Sequence, residues 1–437
     1  MLILQNNNSI RLNPCAFVAK NIAIIGGGIN GIMTAWELLN QGHSVTLFEK
    51  GEVMQQTSSA SSKLLHGGLR YLENFEFRLV KEALKERQWW IQQAPQLAQP
   101  LKLYIPIYQN NRRPAWMYKV GLWLYDRLAG KQNIGQHQSL TKQQMHQACP
   151  ELKTENLVKG FSYYDGEMDD YQLGLWALQQ AKQISTPSPL MGEGWGEGEK
   201  ISQQQPGLVV KEHTEVTKLD TKGNLTLADG TTQTFDKIIN IAGPWAEQLL
   251  KQSNIKPKYN LDLVRGSHIL VDTNISGHSV SSSCHSERSE ESPIQNQHGY
   301  FLEIPNERRI FFVLPYQGKT LIGTTEQRQT LSDNITPSEH EIDYLINAYN
   351  HYFKTPITKQ NIVQSFAGLR PLIKSADNPN KATREYAIQQ NQNLITVFGG
   401  KWTTARQLAK KITKTISANQ CSSVANNDAA NQPGLVK

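Results

Sequence analysis

A glycine-rich turn between an apolar strand and a helix start constrains the fold of this chain more than any other feature. In the run IAIIGGGINGIMTAWELL, residues 22–25 form the strand, and Gly26, Gly28 and Gly31 have the GxGxxG spacing. The first glycine permits a tight turn, the second lets the backbone approach a pyrophosphate, and the third lets the helix pack closely on the strand. Glu49 ends the next apolar run, HSVTLFEK, where a carboxylate accepts a hydrogen bond from a ribose hydroxyl.

The combination of strand, turn, helix and acidic residue predicts a dinucleotide-binding βαβ unit. The pyrophosphate would meet a helix N-terminus, where the helix dipole favours negative charge. The alternative is a glycine-rich turn that binds nothing. A nicotinamide-binding dehydrogenase is less favoured, because the chain shows only one complete strand-linked GxGxxG motif.

Length and composition indicate a cytoplasmic protein. The 437 residues suffice for two domains with a large core, and no run of about eighteen apolar residues predicts a membrane span. Residues 1–20 lack the pattern of a secretory signal and are expected to be a disordered extension. The four cysteines form no CxxC pair, so we expect no metal site. The net charge of +7 suits an anionic substrate or an anionic membrane surface, but it is not clustered as nucleic-acid binding requires.

Two segments after the glycine turn have helical patterns. In FEFRLVKEALKERQWWIQQAP, Phe75, Leu79, Val80 and Ala83 share one face, and a proline ends the pattern. Residues 112–130, RRPAWMYKVGLWLYDRLAG, are aromatic with basic flanks. This second segment is either an amphipathic helix at a membrane surface or part of the core of a substrate domain, and we favour the core.

Later segments alternate strands, turns and helices. A helix is expected to begin near Asp169 and Asp170, and LTLADGTTQTF predicts a hairpin with an Asp-Gly turn. A buried strand follows the hairpin and leads to Gly243, and LITVFGGKWTTARQLAKKI repeats the order strand, double glycine, helix. These turns are expected to bring backbone close to the same cofactor.

Two stretches do not follow this pattern. Residues 185–205 and 275–297 contain Gly-, Ser-, Pro- and Glu-rich runs with little to bury, similar to translated genomic repeat elements. We expect both to be inserted surface loops away from the active site, because loop-closure entropy grows slowly with length. Residues 417–437 are expected to form a disordered tail.

Several polar and basic segments are candidates for binding an anion. The run TSSASSKLLHGGLRYLENFEFRLVKEAL offers four serines, Lys63, His66 and Arg70 around two adjacent glycines. Further cationic groups occur in VRGSHIL, FAGLRPL, TREY and GGKWTT. Arginine offers a planar fork and lysine a point charge to phosphate oxygens. Together these groups predict a phosphate site, although each one alone is more often a surface charge.

These motifs resemble the family of FAD-dependent glycerol-3-phosphate dehydrogenases, from about Asn21 to Lys410 outside the two insertions. The resemblance rests on GGGINGIMTAW, the TSSASSKLLHGGLRYLE block, RPAWM, YYDGEMDD, AGPWAEQLL, VRGSHIL, RIFFVLPY, LIGTTE, GLRPL, TREY and VFGGKWTT. It implies an α/β fold (α+β overall) of the D-amino-acid oxidase and glutathione-reductase-like superfamily. A Rossmann-like FAD-binding domain with a central parallel sheet would be joined to an antiparallel-sheet substrate domain. The implied FAD-binding ranges are 21–105, 155–184, 206–255 and 361–416, and the implied substrate-domain ranges are 106–154 and 256–360.

The resemblance also assigns roles to individual residues. It places the substrate against Arg70, Tyr71, His268, Arg370, Arg384 and Lys401. The residues expected to bind FAD are Gly26, Gly27, Gly28, Asn30, Gly31, Glu49, Thr57, Ser58, Ser59, Ser62, Lys63, Leu65, His66, Gly67, Gly243, Gly399, Gly400 and Lys401. For catalysis we expect His268 to be the general base, with His66 as the second candidate, and Arg370 to stabilise the developing charge.

The implied reaction is oxidation of sn-glycerol 3-phosphate to dihydroxyacetone phosphate. Hydride would pass from C2 to flavin N5, and the electrons would continue to quinone at the inner face of the cytoplasmic membrane. Members of the family continue into a helical C-terminal domain, which we expect to be missing here, so the resemblance leaves activity, quinone access, membrane docking and a homodimer undecided. The alternatives are another flavin oxidase of the superfamily, acting on an amine or amino acid or using oxygen, and an inactive FAD-binding remnant.

Overall fold

The computed structural model describes residues 19–184, 207–272, 298–332, 334–374 and 386–430. The strands are β1 (Asn21–Ile25), β2 (Ser44–Phe48), β3 (Leu64–Leu65), β4 (Ala98–Tyr108), β5 (Gln138–Thr141), β6 (Leu157–Met168), β7 (Leu208–Lys211), β8 (Val216–Leu219), β9 (Asn224–Leu227), β10 (Thr232–Thr234), β11 (Lys237–Asn240), β12 (Leu261–Val271), β13 (His298–Glu303), β14 (Ile310–Tyr316), β15 (Lys319–Gly323), β16 (Gln327–Arg328), β17 (Ile362–Ile373), β18 (Ala387–Asn391) and β19 (Leu394–Phe398). The helices are α1 (Ile29–Asn40), α2 (Phe77–Gln93), α3 (Ala115–Ala129), α4 (Lys142–Ala148), α5 (Asp170–Ile184), α6 (Ala246–Gln252), α7 (Glu339–Tyr352) and α8 (Ala405–Ala430).

A six-stranded sheet in the order β18-β19-β11-β1-β2-β7 contains the predicted βαβ unit. All of its neighbouring strands are parallel except β18 and β19. Strand β1 is apolar on both faces, as expected for a parallel strand covered on two sides. Ile22 and Ile24 pack with α1, α5 and α8, whereas Ala23 and Ile25 pack with α6 and the small sheet β10-β9-β8.

A ten-stranded sheet forms the second part of the molecule, with the path β16-β12-β15-β14-β13-β4-β6-β3 and with β17 and β5 paired beside it. Its pairs are antiparallel except β13 with β4. Side chains alternate between its two faces. In β12, Ile269 and Val271 pack with α4 and α7, whereas Leu270 packs with α2 and α3. The two sheets confirm the predicted fold class.

The structure differs from several expectations about the elements. Strands β4, β6 and β17 pair within the ten-stranded sheet, although the sequence placed most of them in the FAD-binding ranges. The reason is that hydrophobic alternation shows which face of a strand is buried, but not which sheet it joins. Phe75 precedes α2 and is 77% exposed, so it does not share the buried face of that helix.

The expected disordered and inserted segments are mostly outside the described residues. These are most of the N-terminal extension and all of 185–205 and 275–297. Helix α8 continues past Ile416 to Ala430, so the backbone there is helical rather than the loose tail that was expected. The domain boundaries themselves stay a prediction.

Candidate active site

The turn between β1 and α1 has the backbone geometry that the glycine spacing predicted. Gly26 has a φ of 115°, and Gly28 is the N-cap residue of α1, with no side chain of its own to cap the helix. A Cβ on Gly31 would lie 1.9 Å from the carbonyl oxygen of Gly26. Because side chains cannot approach backbone this closely, only glycine lets α1 begin directly against the turn.

Glu49 supports this turn from the end of β2. Its Oε2 accepts a hydrogen bond from the N–H of Gly27 at 2.7 Å, and its Oε1 accepts one from the N–H of Gly51 at 3.0 Å. The carboxylate also lines the cavity beside the turn. It therefore fixes the glycine loop and still presents an acceptor to a bound hydroxyl.

A cavity of about 400 Å³ begins at the glycine turn and extends to the ten-stranded sheet. It lies where the carboxyl ends of β1, β2, β11 and β19 meet, the usual ligand position for a parallel sheet. Most of the residues predicted for the site line this cavity: Gly26, Gly28, Asn30, Glu49, Thr57, Ser58, Ser62, His66, Tyr71, Gly243, His268, Arg370, Gly399, Gly400 and Lys401.

Seven predicted residues do not line the cavity: Gly27, Gly31, Ser59, Lys63, Leu65, Gly67 and Arg70. The ammonium of Lys63 is buried, 2.5 Å from the Asp170 carboxylate, and Leu65 is in the apolar core. The sequence motif did not separate side chains that face a ligand from those that hold the motif in place. Arg384 lies outside the described residues.

His268 lies on β12, at the cavity wall. Its Nε2 is 2.9 Å from the hydroxyl of Ser62, its ring stacks on Phe366, and its Nδ1 has no hydrogen-bond partner among the described residues. Burial lowers the pKa of His268 to about 3, and the positive charges of Arg370 and Lys63 act in the same direction. The imidazole is therefore neutral at neutral pH.

Arg70 and Arg370, two of the predicted cationic residues, lie close together although they are far apart in the sequence. Arg370 on β17 donates to the carbonyl of Thr325 at 2.7 Å, and its Nη1 lies 3.7 Å from Glu326 Oε1. Arg70 Nη1 lies 3.6 Å from the same oxygen. Arg70 therefore lies next to Arg370 without lining the cavity itself.

Tyr71, the residue after Arg70, completes this group of side chains. The ammonium of Lys401 lies 4.2 Å from the centre of the Tyr71 ring, within cation–π range. The His66 ring centre is 6.3 Å from the same ring. Arg265, a further cation of VRGSHIL, is bound to Glu341 at 2.6 Å and does not line the cavity.

The sequence reasoning missed several residues that line the cavity. Lys50 follows Glu49 directly, and its ammonium lies 4.4 Å from the ring centre of Trp245, which also lines the cavity. Trp402 donates through Nε1 to the carbonyl of Ser58 at 3.0 Å. The sequence could have indicated these residues by their position, because each lies just beyond the carboxyl end of a strand in the parallel sheet. Thr214, just beyond β7, gave no motif signal.

The residues around the turn fit a bound dinucleotide. Asn30 lines the cavity, and its Oδ1 is buried and has no hydrogen-bond partner among the described residues. Buried polar atoms are normally paired, so an unpaired acceptor beside a helix N-terminus fits a ligand that donates a hydrogen bond. Ser58 Oγ caps the same helix by accepting from the N–H of Ile29 at 3.0 Å.

The fold and the cavity together define a dinucleotide-binding oxidoreductase. A parallel sheet holds the nucleotide turn, and the neighbouring antiparallel sheet brings a histidine and an arginine to the same cavity. The sequence pattern of the family described as FAD dependent oxidoreductase matches residues 21–415, and the chain belongs to this family. The predicted cofactor, FAD, is thereby confirmed.

Similar proteins narrow this assignment. The chain is 34% identical over 405 residues to D-erythritol 1-phosphate dehydrogenase of Brucella abortus, covering 90% of this chain and 72% of that protein. It is 35% identical over 416 residues to glycerol-3-phosphate dehydrogenase of Pseudomonas aeruginosa, covering 91% and 72%. The chain is thus an FAD-dependent oxidoreductase of the glycerol-3-phosphate dehydrogenase type, as the motifs predicted.

Solved structures share the fold. The glycerol-3-phosphate dehydrogenase of Bacillus halodurans in complex with FAD has a TM-score of 0.65 at 23% identity, covering 92% of this chain but only 65% of that one. Glycine oxidase from Geobacillus kaustophilus also has a TM-score of 0.65, at 18% identity, covering 92% and 95%. Among the helices in the described ranges, none has the length and apolar composition that crossing a bilayer requires.

Proposed function

We propose that this protein oxidises sn-glycerol 3-phosphate to dihydroxyacetone phosphate and passes the electrons to quinone. One observation carries the proposal: Tyr71, His268, Arg370 and Lys401 line the same cavity as the glycine turn. The cavity thus combines a dinucleotide site with cations for a phosphate and a histidine for a hydroxyl proton. The glycerol-3-phosphate dehydrogenases among its relatives support the same substrate.

Bound FAD would supply the acceptor for the hydride from C2 of the substrate. The glycine turn, Glu49 and the serine-rich loop around Ser58 would hold it, with Gly243 and Gly399 close to it. These groups contribute backbone N–H groups and small side chains, so they orient a flat, charged ligand without filling its space.

Arg370 and Lys401 would bind the substrate phosphate, and we propose that Arg384 joins them. Each charge-assisted hydrogen bond to phosphate contributes about 1.5–3 kcal/mol. Arg370 is held by the Thr325 carbonyl and by Glu326, so its fork is oriented before substrate arrives. Preorganised donors of this kind stabilise charge without reorganisation during the reaction.

His268 lines the cavity and would take the proton from the C2 hydroxyl. Its low pKa keeps it neutral and able to accept a proton, but the causes of that low pKa, burial first and then the charges of Arg370 and Lys63, also oppose its protonation. A phosphate dianion bound to Arg370 would offset that positive field and make His268 a stronger base when substrate is present. His66, which also lines the cavity, is the second candidate.

A longer polyol phosphate is a second candidate substrate. The 34% identity with D-erythritol 1-phosphate dehydrogenase favours it, and the proposed cation site serves either phosphate monoester. Anaerobic titration of the FAD-loaded protein, followed by flavin absorbance, tests both. We expect bleaching by glycerol 3-phosphate, less or equal bleaching by erythritol phosphate, and none by glycerol, glycine, sarcosine or D-amino acids.

Two results would contradict the proposal. Bleaching by glycine, sarcosine or a D-amino acid but by no polyol phosphate would indicate an amine or amino-acid oxidase. Bleaching by none of these compounds would indicate a non-catalytic FAD-binding protein. The peroxide yield in air, compared with the reduction rate of a soluble quinone, then separates oxygen from quinone as the acceptor.

We also propose that the protein attaches peripherally to the inner face of the cytoplasmic membrane, where quinone is found. The support is a surface that we call the aromatic face: Phe75, Trp116, Val120 and Trp123. Trp116 is 67% exposed and Trp123 55% exposed, while the opposite side of α3 is buried in the core. Helix α3 thus has a buried side in the core, and its exposed apolar side supports the proposed membrane contact.

A further inference from the structure

The carboxylate of Glu341 joins three parts of the chain behind the cavity wall. Its Oε1 accepts hydrogen bonds from Ser267 Oγ at 2.9 Å and from Thr325 Oγ1 at 2.6 Å. Its Oε2 lies 2.6 Å from Arg265 Nη2. Glu341 is 3% exposed and does not line the cavity, so any effect on the substrate must pass through its partners.

Two of these partners are directly connected to residues of the proposed site. The carbonyl of Thr325 accepts the 2.7 Å hydrogen bond from Arg370, and Ser267 immediately precedes His268. The hydroxyl of Thr325 donates to Glu341 and also accepts from the N–H of Ser267 at 2.9 Å. One buried hydroxyl therefore ties strand β12 to the loop after β15, and Glu341 fixes the direction of that hydroxyl.

The guanidinium of Arg370 has little freedom to move against this support. A Cβ added to Gly266 would lie 2.6 Å from Arg370 Nη2 and 2.6 Å from Thr324 Oγ1. The arginine thus lies directly on the backbone of β12, next to Thr324, which lines the cavity. A small shift of the loop that contains Thr325 would move Arg370 with it.

Glu341 is ionised in this setting. Burial opposes ionisation, but hydrogen bonds from Thr325, the Ser338 N–H, Arg265 and Ser267 together lower the pKa of Glu341 to about 2. The carboxylate also belongs to the capping box at the start of α7: it accepts from the Ser338 N–H, and Ser338 Oγ accepts from the backbone N–H of Glu341. A rigid helix end therefore supplies a fixed negative charge to the back of the site.

We propose that Glu341 is a positioning residue of the active site, holding Arg370 through Thr325 and the β12 backbone at His268 through Ser267. The inference rests on the proposed function, since the phosphate is what Arg370 would bind. Misplacement of a binding group by about 1 Å can cost on the order of 100-fold in rate. We therefore expect a large effect from a residue that never touches the substrate.

The test compares Glu341→Gln with two variants at the same helix end. Glu339→Gln removes the same charge from the first turn of α7, but Glu339 is 77% exposed and pairs with Lys359. Ser338→Ala removes the cap and leaves the contacts of Glu341 with Ser267 and Thr325. The three variants separate helix charge and helix capping from the support of the cavity wall.

Each FAD-loaded protein is measured in two ways at equal flavin content. Calorimetry gives the Kd of inorganic phosphate, and anaerobic stopped-flow absorbance gives the rate constant of flavin reduction by glycerol 3-phosphate. Glu341→Gln should raise the phosphate Kd about tenfold and slow reduction on the order of tenfold or more. The two controls should keep both values within about twofold of wild type, even where Ser338→Ala lowers the melting temperature.

Equal phosphate Kd values in Glu341→Gln and Glu339→Gln would overturn the inference, as would a wild-type protein that binds no phosphate. A wild-type protein that binds phosphate but is not reduced by any polyol phosphate would overturn the proposed function alone. Should Glu341→Gln fail to fold, Thr325→Val with Thr325→Ser as its rescue tests the same link. Thr325→Val should reproduce the weak phosphate binding and Thr325→Ser should restore it, and equal binding in both overturns the inference.

Discussion

His268 links the stability of the protein to pH through a single side chain. Its folded pKa of about 3 is below the ordinary value of 6.5, so the unfolded chain binds the proton first as the pH falls. This contribution to stability is complete above about pH 6.5 and is lost as the pH falls toward 3. While a proton binds only the unfolded state, the free energy of unfolding falls by about 1.4 kcal/mol for each unit by which the pH is lowered.

We expect His268→Gln to reduce the pH dependence of unfolding. Between pH 6.5 and 4.5 the wild type should lose about 2–3 kcal/mol more of its unfolding free energy than the variant. Urea unfolding of the FAD-loaded proteins at these two pH values measures the difference. Glu341 contributes little in this window, because its stabilisation is lost mainly between its ordinary pKa of 4.5 and its folded pKa of about 2. His340→Gln, at an exposed position, is the control and should behave as wild type. Parallel pH curves for wild type and His268→Gln would show that His268 titrates normally in the folded protein.

At this scale the sequence predicted which residue types are present better than which of them face the ligand. Arg370 and Lys401 both line the cavity: Lys401 follows β19, whose end meets the cavity, and Arg370 lies on β17, which pairs with β12 at the cavity wall. Lys63 and Leu65 belong to the serine-rich motif that also contains Ser62 and His66, but their side chains do not line the cavity. Lys63 forms an ion pair and Leu65 lies in the core. Alternation of side chains along the chain decides this, and a motif alone does not show where the alternation begins.

At the scale of an element, the start of α1 depends on the absence of a side chain at Gly31. An alanine there would place its Cβ 1.9 Å from the Gly26 carbonyl, so α1 and the turn must separate. We expect Gly31→Ala to lower the melting temperature and to weaken FAD binding at least tenfold, since both sides of the nucleotide turn move. FAD titration of the apoprotein by fluorescence and thermal unfolding measure the two effects.

Gly121→Ala on α3 is the matched control. Its nearest neighbour would be a side-chain carbon 3.9 Å from the new Cβ, an ordinary contact. Because alanine is the better helix former, this variant should be more stable by about 0.5–1 kcal/mol and should bind FAD as wild type does. The same substitution in two helices thus has opposite expected signs. If Gly31→Ala retained wild-type FAD affinity, close helix–strand packing would not be what requires glycine at this turn.

The elements themselves were largely predictable, and their pairing was not. Strands β1, β11 and β19 and helix α2 occur where apolar periodicity placed them. The pairing of β17 with β12, which brings Arg370 beside Gly266, joins segments about a hundred residues apart in the sequence. Nothing local in either segment specifies the partner, because any apolar strand of matching register would satisfy the pattern.

For the whole molecule, the convergence of charge follows from topology. The parallel sheet brings the nucleotide turn and Lys401 to one edge, and the antiparallel sheet brings His268 and Arg370 to the same cavity. The family motifs predicted that these groups lie around one cavity, but the sequence between the motifs does not give the distances between the groups. The role of Glu341 was not predictable, because its partners Ser267 and Thr325 are distant in sequence and belong to other elements.

The aromatic face leads to a prediction about the surface of the whole protein. Trp116, Val120 and Trp123 recur at helical spacing on the exposed side of α3, and Phe75 is also exposed. Exposed basic residues accompany them on the same segment: Arg112, Lys119, Arg127 and Lys131. Apolar side chains with basic neighbours bind an anionic lipid surface, each cation near the surface contributing about 1 kcal/mol.

We expect the FAD-loaded protein to sediment with vesicles that contain phosphatidylglycerol, and binding to weaken when salt is raised. The double variant Trp116→Ser, Trp123→Ser should bind these vesicles at least tenfold more weakly and keep its rate of flavin reduction in solution. The control is the double variant Val158→Ser, Val363→Ser. It removes two apolar side chains on strands β6 and β17 that are 48% and 49% exposed. Because these valines are not on α3, their loss should leave vesicle binding unchanged. Equal binding by the tryptophan and valine variants would show that the aromatic face does not dock to lipid. If the wild type bound neutral vesicles as tightly as phosphatidylglycerol vesicles, the basic residues would not contribute to binding.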